Sequence, residues 1–94
     1  MPIFILLSTL TQQGVQTLKS NPERLRQVNK DVEELGARVV HQWATLGEFD
    51  FVNVVEAPDI GTVAKVSVAL AARGSTRIET LPALEIEDFL KTLE

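Results

Sequence analysis

The sequence lacks cysteine and tyrosine, and it contains only one histidine and one tryptophan. Without cysteine the chain has no disulfide framework, no thiolate zinc site and no cysteine nucleophile. A single histidine supplies too few nitrogen ligands for zinc when no thiolate is present. The five glycines are scattered and form no glycine-rich loop that could hold a phosphate. We therefore predict neither a metal site nor another cofactor.

Basic residues are also few. Nine Lys and Arg are scattered among thirteen Asp and Glu, which gives a net charge of −4. Nucleic-acid binding depends mainly on Lys and Arg that neutralise phosphates, so we predict no nucleic-acid partner. The apolar run at residues 3–7 has no basic leader and is too short to cross a bilayer, so we predict a strand there and no membrane association. A cytoplasmic location agrees with the absence of cysteine.

Length and composition indicate a single small globular domain over residues 1–94. Apolar residues make up 45% of the chain and charged residues 23%, which is ordinary for a globular protein. A chain of this size supports one core of modest stability. Its most apolar β-branched stretch, residues 52–56, follows a tight turn, and we predict that it forms a central strand covered on both faces.

The other elements follow from periodicity and from helix start and stop signals. A long helical pattern is interrupted at Asn21, which we expect to cap its second part, and it ends at Gly36, where we expect a positive φ. Thr11 and Asp59 are the expected N-caps of the first and next helices. The predicted strands are at 2–9, 37–45, 52–56 and 76–84. The first predicted helix is kinked, with its longer part at about 22–35, and the next follows residue 59 with an apolar stripe that begins at Ile60. A C-terminal helix has an apolar side made of Ile86, Phe89, Leu90 and Leu93.

This order of elements, β-α-β-β-α-β with a terminal helix, is typical of ferredoxin-like α+β domains. It predicts an antiparallel four-stranded sheet in the order 4-1-3-2, with both main helices on one face. Pro82 agrees with an edge position for the last strand. Alternation places Val39, His41 and Trp43 on one face, and we expect that face to lack a cover and to carry a Phe of the third strand. An uncovered apolar sheet face predicts pairing with a second copy, sheet against sheet.

The turn before the third strand carries a family resemblance. Residues 45–50, Thr-Leu-Gly-Glu-Phe-Asp, resemble the Gly-Tyr-Asp signature of the GYD domain family, with Glu48 inserted and Phe49 where tyrosine is usual. The resemblance extends through residues 56–59 and 77–81, and it covers nearly the whole chain. The family is similar to dimeric α+β barrel proteins, whose ferredoxin-like subunits pair through their sheets. That superfamily includes isomerases, cofactor-free or haem-degrading oxygenases and ligand-sensing domains, so the resemblance implies an architecture and does not select an activity.

Seven polar or aromatic residues near the uncovered face are candidate ligand-binding residues: His41, Trp43, Phe49, Asp50, Asn53, Arg77 and Glu79. His41 and Trp43 lie two residues apart on one strand and Arg77 and Glu79 two apart on another, so each pair shares a face. Asn53, with the phenylalanines two and four residues before it, is expected to join them. In the functional interpretation, these residues line a cleft for a small hydrophobic or acidic ligand. The cleft has an aromatic wall, an imidazole and a carboxylate–guanidinium pair. The structural alternative is a half-exposed histidine and an ion pair at a dimer seam.

Asp50 has two interpretations as well. Its carboxylate could bind a ligand amine or orient a water molecule, or it could accept hydrogen bonds from turn amides, which is the role we favour. For the protein as a whole, the first choice is a homo-oligomeric small-ligand-binding or accessory protein. The alternatives are a small isomerase or oxygenase acting on a hydrophobic substrate, and a structural assembly module. The sequence does not decide whether the protein is an enzyme.

Overall fold

The computed structural model describes residues 1–94 and has the predicted order of elements, with the first helical segment divided in two. The elements are β1 (Ile3–Leu10), α1 (Gln12–Ser20), α2 (Arg24–Glu34), β2 (Arg38–Ala44), β3 (Phe51–Glu56), α3 (Ile60–Ala71), β4 (Thr76–Ala83) and α4 (Ile86–Lys91). No helix combines the length and the apolar character needed to cross a membrane.

The four strands form one sheet in the order β2-β3-β1-β4, and every neighbouring pair is antiparallel. This is the predicted order read from the opposite edge, and it confirms a ferredoxin-like α+β fold. β1 and β3 are central, as their apolar sequences predicted, and β4 with Pro82 is an edge strand.

The core lies between one face of the sheet, here called the helix face, and the helices α2 and α3. Phe4 and Leu6 of β1 and Val55 of β3 are buried there against Val32 of α2 and Val63 of α3. Because successive residues of a strand point to opposite faces, the residues between these on β1 and β3 lie on the other side. No helix packs against that second side, which is here called the open face.

The helix starts agree with the sequence prediction in two cases out of three. Thr11 accepts a hydrogen bond from the Gly14 amide, 3.1 Å away, and Asp59 accepts one from the Thr62 amide at 2.8 Å, so both N-caps are confirmed. The predicted Asn21 cap is wrong, because α2 begins at Arg24 after a turn and its N-cap is Glu23, which makes no side-chain capping bond.

Two glycines are required by local geometry. Gly47 has a φ of 125° and lies in the turn between β2 and β3, a conformation that favours residues without a Cβ. Gly14 is buried at the start of α1, where a Cβ would collide with the carbonyl oxygen of Ser75. The predicted positive φ of Gly36 is also confirmed, at 102°.

β2 contains an irregularity that the sequence did not reveal. Val39 pairs with Val55, but the next registered pair is His41 with Val54, so Val40 is an extra residue on β2. Such a bulge shifts the phase of the strand. Val39 therefore lies on the helix face, and its predicted position beside His41 and Trp43 is wrong.

Two predicted apolar surfaces are not buried within the chain. Ile60, expected to begin the stripe of α3, is 66% exposed. The apolar side of α4 is also open, with Phe89 and Leu90 each 46% exposed and Ile86 67% exposed. The chain is correspondingly elongated, with extents of 51 × 29 × 18 Å.

Candidate functional site

The open face carries rows of side chains that run across the whole sheet. The strand registers place His41, Val54, Ile5 and Leu81 in one row, Trp43, Val52, Leu7 and Glu79 in the next, and Thr9 beside Arg77 in a third. The two middle positions of the first two rows are aliphatic and half-buried. At the sheet edges, these two rows end in His41 and Trp43 on β2 and in Leu81 and Glu79 on β4.

Four of the predicted site residues lie on this open face, as their spacing predicted. His41 and Trp43 stack on β2 with ring centroids 5.5 Å apart and ring planes 15° apart, and Trp43 is 52% exposed. Arg77 and Glu79 are exposed on β4 at the opposite edge and form no ion pair within the chain. Three strand spacings, about 14 Å, separate the two pairs. One chain does not bring them together, and a cavity shared through a second copy stays a prediction.

Asn53 and Phe51 lie on the helix face, so their predicted positions on the open face are wrong. Both are 8% exposed, because their registered partners on β1, Leu6 and Ser8, also point toward the helices. β3 is apolar on both sides, so its sequence pattern did not show which of its residues face the helices. Phe49 precedes β3 in the turn, half-buried, and its carbonyl accepts a hydrogen bond from the Thr45 hydroxyl at 2.7 Å.

Asp50 has a structural role close to the one favoured from sequence. Its Oδ2 accepts a hydrogen bond from the amide of Leu10, 2.8 Å away. The donor belongs to the end of β1 and not to the turn itself. The Asp50 amide in turn donates to the Ser8 carbonyl at 2.8 Å, so this residue fixes the β2–β3 turn to the neighbouring strand.

Two cavities lie on the helix side of the sheet, and of the predicted site residues only Asn53 lines either of them. The first, here called the α1/α2 cavity, has a volume of about 100 Å³ and lies between the sheet and helices α1 and α2. Of its 21 lining residues, 11 are hydrophobic. The second, about 320 Å³, lies between α3 and β4. Its only polar side chains, Ser67 and Thr80, hydrogen-bond to each other at 2.7 Å.

A chain of polar side chains crosses the sheet wall of the α1/α2 cavity. Asn29 of α2 donates to Gln42 of β2 at 3.0 Å, and Gln42 donates to Asn53 at 2.8 Å. Asn53 donates to the Leu6 carbonyl at 3.1 Å and to the Ser8 hydroxyl at 3.4 Å. The buried Ser8 hydroxyl accepts a hydrogen bond in this network, and its own proton remains available to another acceptor.

Two arginines also border the α1/α2 cavity. Nη2 of Arg73 pairs with Asp31 at 2.9 Å, while its Nη1 is buried without a hydrogen-bond partner. A hydrogen bond from Gln27, together with the Arg73 guanidinium, lowers the pKa of Asp31 below its usual value. Asp31 thus stays ionised and compensates Arg73. Arg24 makes no ion pair, and its charge is a further, smaller cause of the lowered pKa of Asp31.

Sequence reasoning missed most residues of this cavity. Ser8 follows Phe4 and Leu6 at a spacing of two, and that spacing marks it as a polar residue on a buried face. Gln42 had no such signal, because the bulge at Val40 changes the phase of β2 before it. Arg24 of α2 and Arg73, which follows α3, line the same cavity only because both helices pack on one face of the sheet.

The fold defines the class of the protein, a ferredoxin-like α+β domain with helices on one sheet face and the other face open. The GYD domain family matches residues 4–93, nearly the whole length, and the chain belongs to that family. This confirms the family indicated by the turn at residues 45–50.

Two similar proteins extend the comparison. A protein of Thermus thermophilus named glutamine synthetase and cystathionine beta-lyase binding protein is 52% identical over 95 residues, which span 100% of both chains. The crystal structure of TTHA0845, also from Thermus thermophilus, matches with a TM-score of 0.60 at 20% identity, over 90% of this chain and 95% of that one. At this identity the second likeness shows a shared fold.

Proposed function

We propose that the protein is an accessory protein that binds metabolic enzymes and acts as a homo-oligomer. The observation that carries the proposal is the 52% identity, over the full length of both chains, to a protein named as binding glutamine synthetase and cystathionine beta-lyase. These two enzymes are therefore the first partners to test.

Two exposed apolar surfaces support protein binding. Contiguous apolar surface on a soluble chain marks a site of association. The open face presents aliphatic rows ending at Trp43, which is 52% exposed. We assign this face to a second copy, because pairing across a two-fold axis would cover the same apolar patch on both copies. The catalytic alternative would need the polar residues of this face to converge, and within one chain they stand at opposite edges.

The C-terminal helix α4 is the second surface, and we assign it to the enzyme partner. Its apolar side chains Phe89 and Leu90 are each 46% exposed, with Ile86 67% exposed, and they recur at the spacing of one helix side. Glu87 and Asp88 give the same helix a polar acidic side. An amphipathic helix of this kind suits an apolar groove on a partner.

The test is direct binding of the purified protein to glutamine synthetase and to cystathionine beta-lyase from the same organism, measured by surface plasmon resonance. We expect saturable micromolar or tighter binding to at least one enzyme, and no binding to an unrelated enzyme of similar charge. The double variant Phe89→Ser, Leu90→Ser should lose about tenfold or more in affinity, since it removes apolar contact area from the helix.

The matched control is Glu87→Ser with Asp88→Ser, which changes two residues on the polar side of the same helix. Circular dichroism of both variants should remain that of the wild type, because none of the four side chains is buried. Absence of binding to both enzymes would contradict the proposal. Equal losses in the two double variants would contradict the assignment of the apolar side.

A further inference from the structure

We infer that the α1/α2 cavity is a binding site for a small carboxylate that has a short apolar body. The cavity lies on the helix face, opposite the surface assigned to the second copy, and this inference does not depend on the proposed function. Its basis is the size of the cavity, the charge of its lining and the state of its buried polar groups.

The charge of the lining selects an anion. Two arginines, Arg24 and Arg73, line the cavity, and no Asp or Glu does, although the chain carries thirteen acidic and nine basic residues. Asp31 forms an ion pair with Arg73 at 2.9 Å and also interacts with the charge of Arg24, so one carboxylate stands against two guanidinium groups. A site with one net positive charge complements a ligand with one negative charge.

The buried donors of the cavity point to a carboxylate in particular. Nη1 of Arg73 is buried and lacks a hydrogen-bond partner, and buried polar groups are almost always paired in folded proteins. The Ser8 hydroxyl is also buried and has a proton to donate. A carboxylate accepts hydrogen bonds through two oxygens, and guanidinium groups bind it in a planar arrangement.

The apolar part of the lining and the volume limit the rest of the ligand. Eleven of the 21 lining residues are hydrophobic, among them Leu18, Leu25 and Val28 on the helices. A cavity of about 100 Å³ is smaller than the roughly 150 Å³ that holds benzene in an engineered protein cavity. An aliphatic chain of a few carbons therefore fits inside the cavity, whereas a fatty acid or an aromatic cofactor exceeds this volume and would have to extend beyond it.

The experiment is a titration of the ¹⁵N-labelled protein with butyrate, followed by ¹H–¹⁵N NMR. Butyramide is the neutral isostere, and inorganic phosphate is the anion without an apolar body. We expect saturable shifts of the amides of Leu6, Ser8 and Asn53 with butyrate. Butyramide should bind about tenfold more weakly, because it lacks the charge-assisted hydrogen bonds.

Arg24→Gln is the test variant, and Arg26→Gln is its matched control on the same helix. Arg26 is 81% exposed in its side chain and pairs with Glu23 outside the cavity. Arg24→Gln should lower the affinity for butyrate to about that for butyramide. Arg26→Gln should leave butyrate binding unchanged. Equal binding of butyrate and butyramide would overturn the inference. So would phosphate binding as tightly as butyrate, or butyrate shifts confined to the open face.

Discussion

At the scale of single residues, the turn at residues 45–50 shows what the family signature does in this chain. Gly47 takes a φ of 125°, the Thr45 hydroxyl donates to the Phe49 carbonyl at 2.7 Å, and Asp50 accepts from Leu10 at 2.8 Å. The bond from Thr45 closes the turn on itself, and the bond to Asp50 holds the turn against β1. The signature residues therefore stabilise the connection between β2 and β3. Phe49 takes part through its backbone carbonyl, and this contact does not require a phenolic hydroxyl.

Gly47→Val should destabilise the protein by about 1–2 kcal/mol, because a β-branched residue is strained at positive φ. No atom lies within 4 Å of the position that a Cβ would occupy, so the cost is conformational and not a collision. Urea denaturation at a fixed protein concentration measures it. Glu48→Val, at the exposed neighbouring position, is the control and should shift the midpoint little. Equal midpoints for Gly47→Val and wild type would show that the turn adopts an ordinary φ in solution.

At the scale of elements, helix α3 depends on the ionised carboxylate of Asp59. Oδ1 accepts hydrogen bonds from the amide and from the hydroxyl of Thr62, each at 2.8 Å. The amide bond, followed by the hydroxyl bond, lowers the pKa of Asp59 below its usual 3.8. The charge also lies at the positive end of the helix dipole. Capping by this residue is therefore coupled to pH.

The stability that Asp59 contributes should be complete above pH 3.8, the usual value, and should be lost as the pH falls through the lower folded-state pKa. Asp59→Ala should therefore be less stable than wild type at pH 7, and the difference should narrow in acid. Asp59→Ser keeps a capping oxygen without a titrating group, so its difference from Asp59→Ala should stay constant with pH. Thermal denaturation at pH 7 and pH 3 measures both. A constant gap between wild type and Asp59→Ala would contradict the coupling.

At the scale of the whole molecule, the chain exposes more surface than a compact monomer does. Its accessible surface is 6350 Å², whereas a folded monomer of 10.4 kDa is expected to expose about 5400 Å². Its radius of gyration is 14.1 Å, against about 12 Å for a compact domain of this length. Only 12 of the 94 residues are buried. The excess is similar to the roughly 800 Å² that each partner buries in a standard interface.

Val54→Lys should convert the proposed oligomer into a monomer, because it places a charge at a half-buried position in the middle of the open face. An unpaired charge enclosed between two sheets is strongly unfavourable. Sedimentation at low micromolar concentration should show the wild type at twice the 10.4 kDa chain mass or more, and the variant at the chain mass.

Val68→Lys is the matched control, since Val68 is 69% exposed on α3, on the helix side of the sheet. It should leave the oligomer unchanged. A wild-type protein that sediments as a monomer would contradict the assignment of the open face to a second copy. Dissociation by both lysine variants would indicate that charge in general, and not this face, controls association.

The sequence by itself determined the order of elements, the strand order, two of the three tested helix caps and the positive φ of Gly36. These features depend on local rules, namely apolar periodicity, capping side chains and the short list of allowed βαββαβ topologies. The face of Arg77 was also predictable, because β4 alternates regularly and pairs with β1 without a register shift.

Only the tertiary structure decided which side of β3 faces the helices, where β2 carries its bulge and which residues enclose the α1/α2 cavity. β3 is apolar on both sides, so its phase is set by pairing with β1 and not by its own pattern. The bulge at Val40 depends on the register between two strands, which no local signal encodes. Arg24 and Arg73 are far apart in the chain and meet at one cavity because α2 and α3 cover the same sheet face. Contacts of this kind are created by packing, and a linear pattern of residues carries no record of them.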